Sequence, residues 1–380
     1  MFEEIVSFIK SLYPGEDPVP LHAPRFIGNE KKYLIDCIDT TYVSYVGRYV
    51  SLFEEHIKKF TGAQYAIAVI NGTEALHLAL LLAGVKAGDE VLTQALTFVA
   101  TANAISYCQA HPVFIDVERK TIGLDPEKLL LFLDKNGIIQ KDGYCYNRIT
   151  GRKISACVPM HTFGHPVKID RIIKICREYH LPVIEDSAEA LGSYYKGKHV
   201  GTFGDLGILS FNGNKLVTAG GGGMIITNNE AMARQAKHLT TTAKIPHPWE
   251  FIHDQVGYNF RMPNINAAVG CAQMENLSQI LENKRQTAML YKEFFNHLHV
   301  SFISEPDDAH SNYWLNGIIM KDRKKRDEVL THTNNQGIQT RPVWRLLNGL
   351  PMYWDSHADS LEVSQWLADR IVNIPSSVRI

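Results

Sequence analysis

Four short segments of this 380-residue chain carry residues whose types and spacing could do chemistry, and the first three each follow an apolar run. In Asn71-Gly72-Thr73-Glu74 a glycine and a hydroxyl open an apolar helical pattern. The free N–H groups and partial positive charge of a helix amino terminus suit a phosphate, although an ordinary N-cap turn uses the same residues. The turn matches neither a Walker loop nor G-x-G-x-x-G. Glu185-Asp186-Ser187 ends a buried strand in two acids, which costs desolvation unless a cation or hydrogen-bond donors meet them. One acid could simply cap the next turn. A carboxylate set against a cationic ring nitrogen would instead raise that nitrogen's pKa by roughly one to three units. In GDLGILSFNGNKLVTAGGGG, residues 204–223, Lys215 follows the turn Asn212-Gly213-Asn214 in a loop of small residues. A lysine there can reach inward, and desolvation beside a cation would make it nucleophilic. An exposed lysine next to a tight glycine turn is the plain alternative. The fourth segment, Gly257-Tyr258-Asn259-Phe260-Arg261-Met262-Pro263, could be a hinge or a ligand contact.

These segments need elements to hold them. YAIAVI (65–70), DEVLTQ (89–94), PVFIDV, ISACVPM (154–160), PVIED (182–186), LGILSF and MIITN read as strands. Helical patterns follow most of them: EALHLALLLAG, TFVATANAISYC, EKLLLFLD opened by Asp125-Pro126, and the stretch after Lys168. Such alternation with nearly continuous apolar strands predicts an α/β fold whose mainly parallel sheet is covered on both faces. In open sheets of this kind ligands sit at the carboxyl ends of the strands. The turn-rich segment 136–153 reads as a hairpin excursion outside the main sheet. Beyond Gly257 the texture changes to a long helical pattern from Ile265 towards Phe295, a strand (YWLNGIIM), the charged helix KDRKKRDEVLTH and Pro-broken pieces. The expected division is a large α/β domain over 1–256 and a smaller α+β domain over 257–380.

Composition narrows the classes. Lys plus Arg number 39 against 40 Asp plus Glu, giving a net charge of −1, so a nucleic-acid or other polyanion binder is not expected. In KDRKKRDE the acids interleave with the bases, as on a solvated helix face. The start, MFEEIVSFIK, has acids where a signal peptide carries positive charge. The longest apolar stretch, 75–85, is too short to span a bilayer and contains His77. Six cysteines lie scattered without metal-ligand spacing, which reads as reduced thiols in a cytoplasmic protein without a metal site.

Five motifs in order resemble the DegT/DnrJ/EryC1/StrS family of pyridoxal-phosphate-dependent sugar aminotransferases. NGTEALHLAL is similar to the family's S-G-T-x-A-L turn, and TFVATANAI to T-F-x-A-T-x-N-A-I. VIEDSAEALG resembles E-D-x-A-(Q/E)-x-x-G, SFNGNKLVTAGGGG resembles S-F-x-x-x-K-x-x-T-x-G-x-G-G, and GYNFRMPNINAAVGCAQ resembles G-x-N-x-R-M-x-x-x-x-A-A-x-x-x-x-Q. The likeness runs from about Pro24 to the end.

The resemblance implies the fold-type-I aminotransferase architecture, working as a homodimer with shared active sites. It implies that Lys215 forms the Schiff base with pyridoxal phosphate (PLP) and that Asp186 pairs with the pyridine nitrogen. Phe98 would stack on the ring. Thr73 and Ser210, with the backbone of Gly72 and Glu74, would hold the phosphate, and Asn259 would reach it from the neighbouring subunit. Glu189, where many relatives carry Gln, would lie near the phenolic oxygen; Asn212 stands where many have His. His161 and His165 read as structural.

The opening, the stretch TTAKIPHPWEFIHDQVGYNFRM and the ending NIPSSVRI look like the legionaminic-acid branch. That likeness implies amination, with glutamate as donor, at C4 of a UDP-linked 4-keto-6-deoxy-N-acetylhexosamine. A C3 aminotransferase and a GDP-perosamine-type synthase are the alternatives. Lys244, His247, Trp249 and Arg341 are the substrate-side candidates. Lys215 argues against the related dehydratases, which carry His there. A PLP-binding regulator and a plain nucleotide-binding module are the readings from other classes.

Overall fold

In the computed structural model, which describes residues 1–379, the apolar runs become seven strands. They are β1 (Tyr65–Val69), β2 (Glu90–Gln94), β3 (His111–Ile115), β4 (Lys153–Val158), β5 (Ile184–Asp186), β6 (Leu206–Ser210) and β7 (Gly223–Thr227). The order across the sheet is β1-β7-β6-β5-β4-β2-β3, with β4 and β5 joined through the bridges Cys157–Val183 and Met160–Asp186. Only β7 runs against its neighbours. The mainly parallel sheet expected from the chain is the one observed.

The strands are mainly apolar because both faces are covered. Neighbouring side chains point to opposite faces. Val91 therefore packs with Leu76, Leu80 and Ile105, while Leu92 packs with Phe132, Leu133 and Ile172. The helices doing the covering include Gly72–Leu82, Val99–Tyr107, Pro126–Asn136 and Ile169–Glu178. Asp125 caps the third of these, its side chain accepting from the Glu127 amide at 2.8 Å, with Pro126 at the first helical position.

One expectation is corrected. The segment 136–153 is a hairpin, Gly137–Ile139 against Cys145–Asn147, but it joins the sheet, because Cys145 pairs with Ile154 of β4. The bridges from β5 begin only at Cys157, so the hairpin occupies the edge of β4 before that point. Buried Glu90 secures it by accepting from Asn147 at 2.8 Å and Thr150 at 2.7 Å.

The carboxyl-terminal part builds a four-stranded antiparallel sheet in the order Ser301–Phe302, Asn316–Ile319, Ile371–Ile374, Arg341–Pro342. The long helical pattern is two helices, Asn264–Glu275 and Leu277–His297, separated at Asn276. The first packs on Glu30–Asp39 and Arg48–Thr61. The amino-terminal helix Phe2–Leu12 crosses to the other end of the chain, burying Ile5, Val6 and Ile9 with Tyr291, Phe295, Ile318 and Val372. We therefore propose a division in which residues 2–19 belong with the smaller unit, and the helix Asn264–Glu275 with the larger one, in place of a cut at Gly257. The charged helix Arg323–Asn335 buries only Val329 and Thr333, as a solvated face requires. All six cysteines are buried free thiols. Among the described residues no helix is long and apolar enough to cross a membrane.

Candidate active site

The exits of β1, β5 and β6 converge. Asn71 caps the helix Gly72–Leu82 by accepting from the Glu74 amide at 2.8 Å. The amides of Gly72 and Thr73, in the first turn, have no acceptor within the helix. Gly72 stands against Ser210 at the end of β6, where a Cβ would come within 3.0 Å of the serine Cβ. A Cβ at Gly223 would lie 2.8 Å from the Gly72 nitrogen, so only glycine lets β7 pass beside this turn. Two helix-end amides and two hydroxyls, Thr73 and Ser210, thus border a narrow cradle.

β5 ends in acids with opposite fates. Glu185 is wholly buried and accepts from the amides of Gly201 (2.8 Å), Phe203 (2.7 Å) and Gly204 (2.7 Å), with His161 Nε2 at 3.1 Å. Burial alone would raise its pKa, but these donors outweigh it and bring the carboxyl below its usual range. Asp186, one residue on and facing the other way, is bonded only to Thr101 Oγ1 at 2.8 Å and the Ala188 amide at 3.2 Å. Burial raises its pKa, against these two bonds and a weaker attraction from Lys215. It is a buried acid short of a cation.

Lys215 supplies the basic centre. Its Nζ lies 3.2 Å from Glu189 Oε1 and 4.1 Å from the centroid of the Trp314 ring. Glu189 is buried and takes a second bond from the Phe163 amide at 3.0 Å. Burial pushes its pKa up to about 7, opposed chiefly by Lys215. Phe163 holds φ at +56°, a left-handed conformation rare for a non-glycine residue and of the kind that clusters at functional sites. Its ring packs 5.3 Å from Trp344, which in turn lies 6.2 Å from the half-exposed Phe98.

PLP suits these residues. A buried carboxylate without a cationic partner awaits a ring N–H, a lysine awaits an aldehyde, an open aromatic face awaits a ring, and a helix amino terminus beside two hydroxyls awaits a phosphate. Sequence reasoning named all of these and missed Trp314, Phe163 and Trp344. Phe163 lies inside the MHTFGHP segment noted for its histidines. Trp314 was visible only as one aromatic in an apolar strand pattern.

The remaining candidates lie outside this cluster. Asn259 is exposed, its Oδ1 accepting from Arg261 Nε (3.0 Å) and from a terminal guanidinium nitrogen (2.9 Å), while Arg261 stacks 3.6 Å over Tyr45. Lys244 and His247 line a cavity of about 520 Å³ with Tyr45, Thr241 and Arg261. Trp249 is exposed beside His247, ring to ring at 5.2 Å. Arg341 donates to Asn334 at 2.9 Å and to the Thr340 carbonyl at 2.8 Å, and no hydrogen bond joins it to the Lys215 cluster. His161 is consumed by Glu185. His165 bonds Ser311 at 2.9 Å, and burial lowers its pKa to about 4.

Comparison with known proteins agrees with this geometry. The model of the DegT/DnrJ/EryC1/StrS aminotransferase family matches residues 25–380. The GDP-perosamine synthase of Escherichia coli O157:H7 is 37% identical, covering 94% of this chain and 93% of that one. The putative pyridoxal phosphate-dependent aminotransferase EpsN of Bacillus subtilis is 37% identical over 94% of this chain and 90% of its own. Among solved structures, the aminotransferase TlmJ from Streptoalloteichus hindustanus superposes with a TM-score of 0.85 at 25% identity, covering 94% of this chain and 93% of that one. The chain belongs to the DegT/DnrJ/EryC1/StrS aminotransferase family and is a PLP-dependent sugar aminotransferase with the fold-type-I architecture.

Proposed function

We propose that this enzyme moves an amino group from an amino-acid donor, with glutamate the first to test, to C4 of a nucleotide-linked 4-keto-6-deoxysugar. Of the two sugar readings, the GDP-linked, perosamine-type substrate has the stronger support. GDP-perosamine synthases from three organisms are 34% to 37% identical to this chain over 94% of its length. The UDP-linked N-acetylhexosamine reading rests on local segments alone.

The observation that carries the reaction is the amine of Lys215, 3.2 Å from Glu189 in a pocket that also buries Asp186. When bound, PLP supplies an aldehyde that condenses with amines and a ring that stores the electron pair released at a carbon. In this reading Lys215 Nζ takes a proton from the donor α-carbon and later delivers one to the sugar C4. Asp186 keeps a proton on the ring nitrogen facing it. Glu189, beside the amine, is a cofactor-contacting acid. Phe98 closes one face, and Gly72, Thr73, Glu74 and Ser210 hold the phosphate.

Asn259 is assigned to the site of a second copy of the chain, making the enzyme a homodimer. Exposed Ile35, Ile38, Tyr42, Val43 and Val46 give that contact an apolar face. Lys244 offers positive charge and His247 a ring nitrogen to a nucleotide diphosphate, with Trp249 and Arg341 as outlying contacts. A nucleotide sugar and an amino-acid donor fit a cytoplasmic reaction.

The test is a mass-spectrometric assay of GDP- and UDP-linked 3-keto and 4-keto sugars with glutamate and PLP. An amine formed from the GDP-linked 4-keto sugar is expected. Product from the UDP-linked sugar alone would reinstate that substrate, and PLP binding with no amine from any sugar would overturn the assignment.

A further inference from the structure

We propose that Trp314 is a positioning residue for Lys215, holding the amine against the acids with a ring face that is itself fixed on several sides. A cation over the face of an indole is attracted by the ring quadrupole, and the Lys215 Nζ lies 4.1 Å from the Trp314 centroid. The ring cannot swing away, because its Nε1–H donates to the carbonyl of Asn214 at 2.8 Å, and Asn214 immediately precedes the lysine. The Trp314 amide donates to Asn312 Oδ1 at 2.8 Å, and Asn312 Nδ2 donates to the carbonyls of Glu189 and Leu191, each at 2.9 Å. The Trp314 carbonyl accepts from buried Lys284 at 2.7 Å. One short segment therefore grips both partners of the Lys215–Glu189 pair: the lysine by ring face and loop carbonyl, the glutamate through its own main chain.

The charged and titratable groups facing Lys215 are Glu189 in contact, Asp186 nearby, and His22, whose ring lies 6.3 Å from that of Trp314. His22 has neither ring nitrogen bonded, and burial, with the charge of Lys215 adding to it, holds it neutral. Among the described residues no other ring is within cation–π range of Lys215, so the task falls to Trp314.

The inference rests on the reading that Lys215 condenses with PLP, and the experiment separates the two. Cofactor-free wild type, Trp314→Leu, Trp314→Phe and Lys215→Ala are mixed with PLP. The rate of growth of the imine absorption band is followed, alongside each protein's thermal midpoint and its glutamate kcat and KM. Trp314→Leu is expected to form the band about tenfold more slowly, with kcat falling and KM for glutamate little changed. Trp314→Phe, which keeps a ring face, should recover most of that loss although it lacks the bond to Asn214. Equal rates for Leu and Phe, or losses that simply follow the thermal midpoints, would overturn the role of Trp314. A band that persists in Lys215→Ala would instead remove the reading on which it rests.

Discussion

Two lysines meet the same tryptophan and are used in opposite ways. Lys215 presents its Nζ to the Trp314 ring and to the Glu189 carboxylate, on a glycine-flanked loop that leaves its side chain 12% exposed. Lys284, on the helix Leu277–His297, is fully buried and has no acid partner among the described residues; its Nζ donates to the carbonyls of Trp314 and Ser376. Burial drives its pKa well below the usual value, and a neutral amine has two N–H groups for two carbonyls. A carboxylate and open space make a lysine available for chemistry; carbonyls and close packing make it a strut. Replacing each in turn should separate the two most sharply. Lys215→Ala should lose the imine band and at least about a thousandfold in turnover, whereas Lys284→Met should still form the band, read by absorbance after PLP is added.

The neighbouring acids at the end of β5 repeat the contrast on a smaller scale. Glu185 is saturated with donors, whereas Asp186 accepts only from Thr101 and the Ala188 amide and has no cation in contact. Asp186→Asn should keep the fold and lower kcat by about a hundredfold or more, through loss of the group that maintains a ring proton. Glu185→Gln should retain most activity per folded molecule. Its amide would face main-chain N–H groups, costing roughly 3 kcal/mol of stability in denaturant unfolding. If the two variants exchanged phenotypes, the assignment of the strand's two faces would be wrong.

Much of this was legible in the chain because polar residues interrupt apolar runs at strand exits, where an open sheet places its ligands. Asn71, Asp186 and Lys215 are local signals of that kind: cap, buried acid, loop base. Trp314 lies 100 residues beyond Asn214 and Asn312 lies 123 beyond Glu189, and in YWLNGIIM an aromatic reads as core. Trp344 is hidden for the same reason. The hairpin 137–147 was legible as a hairpin, but its attachment to β4 depends on which edge β5 leaves free. Residues 2–12 are amphipathic, and nothing in such a pattern tells which core will receive the helix. The break at Asn276 lacks the glycine or proline that usually announces one.

The strut also has a signature in stability against pH. In the unfolded chain Lys284 titrates near 10.5, while in the folded protein it stays unprotonated well below that. Between that lowered value and about 10 the unfolded state therefore binds the extra proton, and stability rises with pH. Relative to Lys284→Met, the wild type should gain up to about 1.4 kcal/mol per pH unit across that window. Urea unfolding at three pH values measures it, and parallel lines for the two proteins would show that the buried amine carries a charge after all.

Glu189 should give the smallest effect, with the opposite slope. Its folded pKa, about 7, lies above the ordinary 4.5 because burial disfavours the carboxylate more than Lys215 and the Phe163 amide favour it. A raised acid pKa contributes stability that is complete below about 4.5 and is lost as pH climbs through 7. Glu189→Gln keeps the shape and an acceptor for Phe163 but cannot titrate. The stability of cofactor-free wild type relative to this variant should fall by a few kcal/mol at most between pH 4.5 and 7, then level off. Lys215 sets how much of that range is used: in the Lys215→Ala background the attraction is gone, so the fall should extend to higher pH. An identical curve in both backgrounds would mean that the 3.2 Å pair contributes nothing to the charge state of this acid, and that Lys215 and Lys284 differ in packing alone.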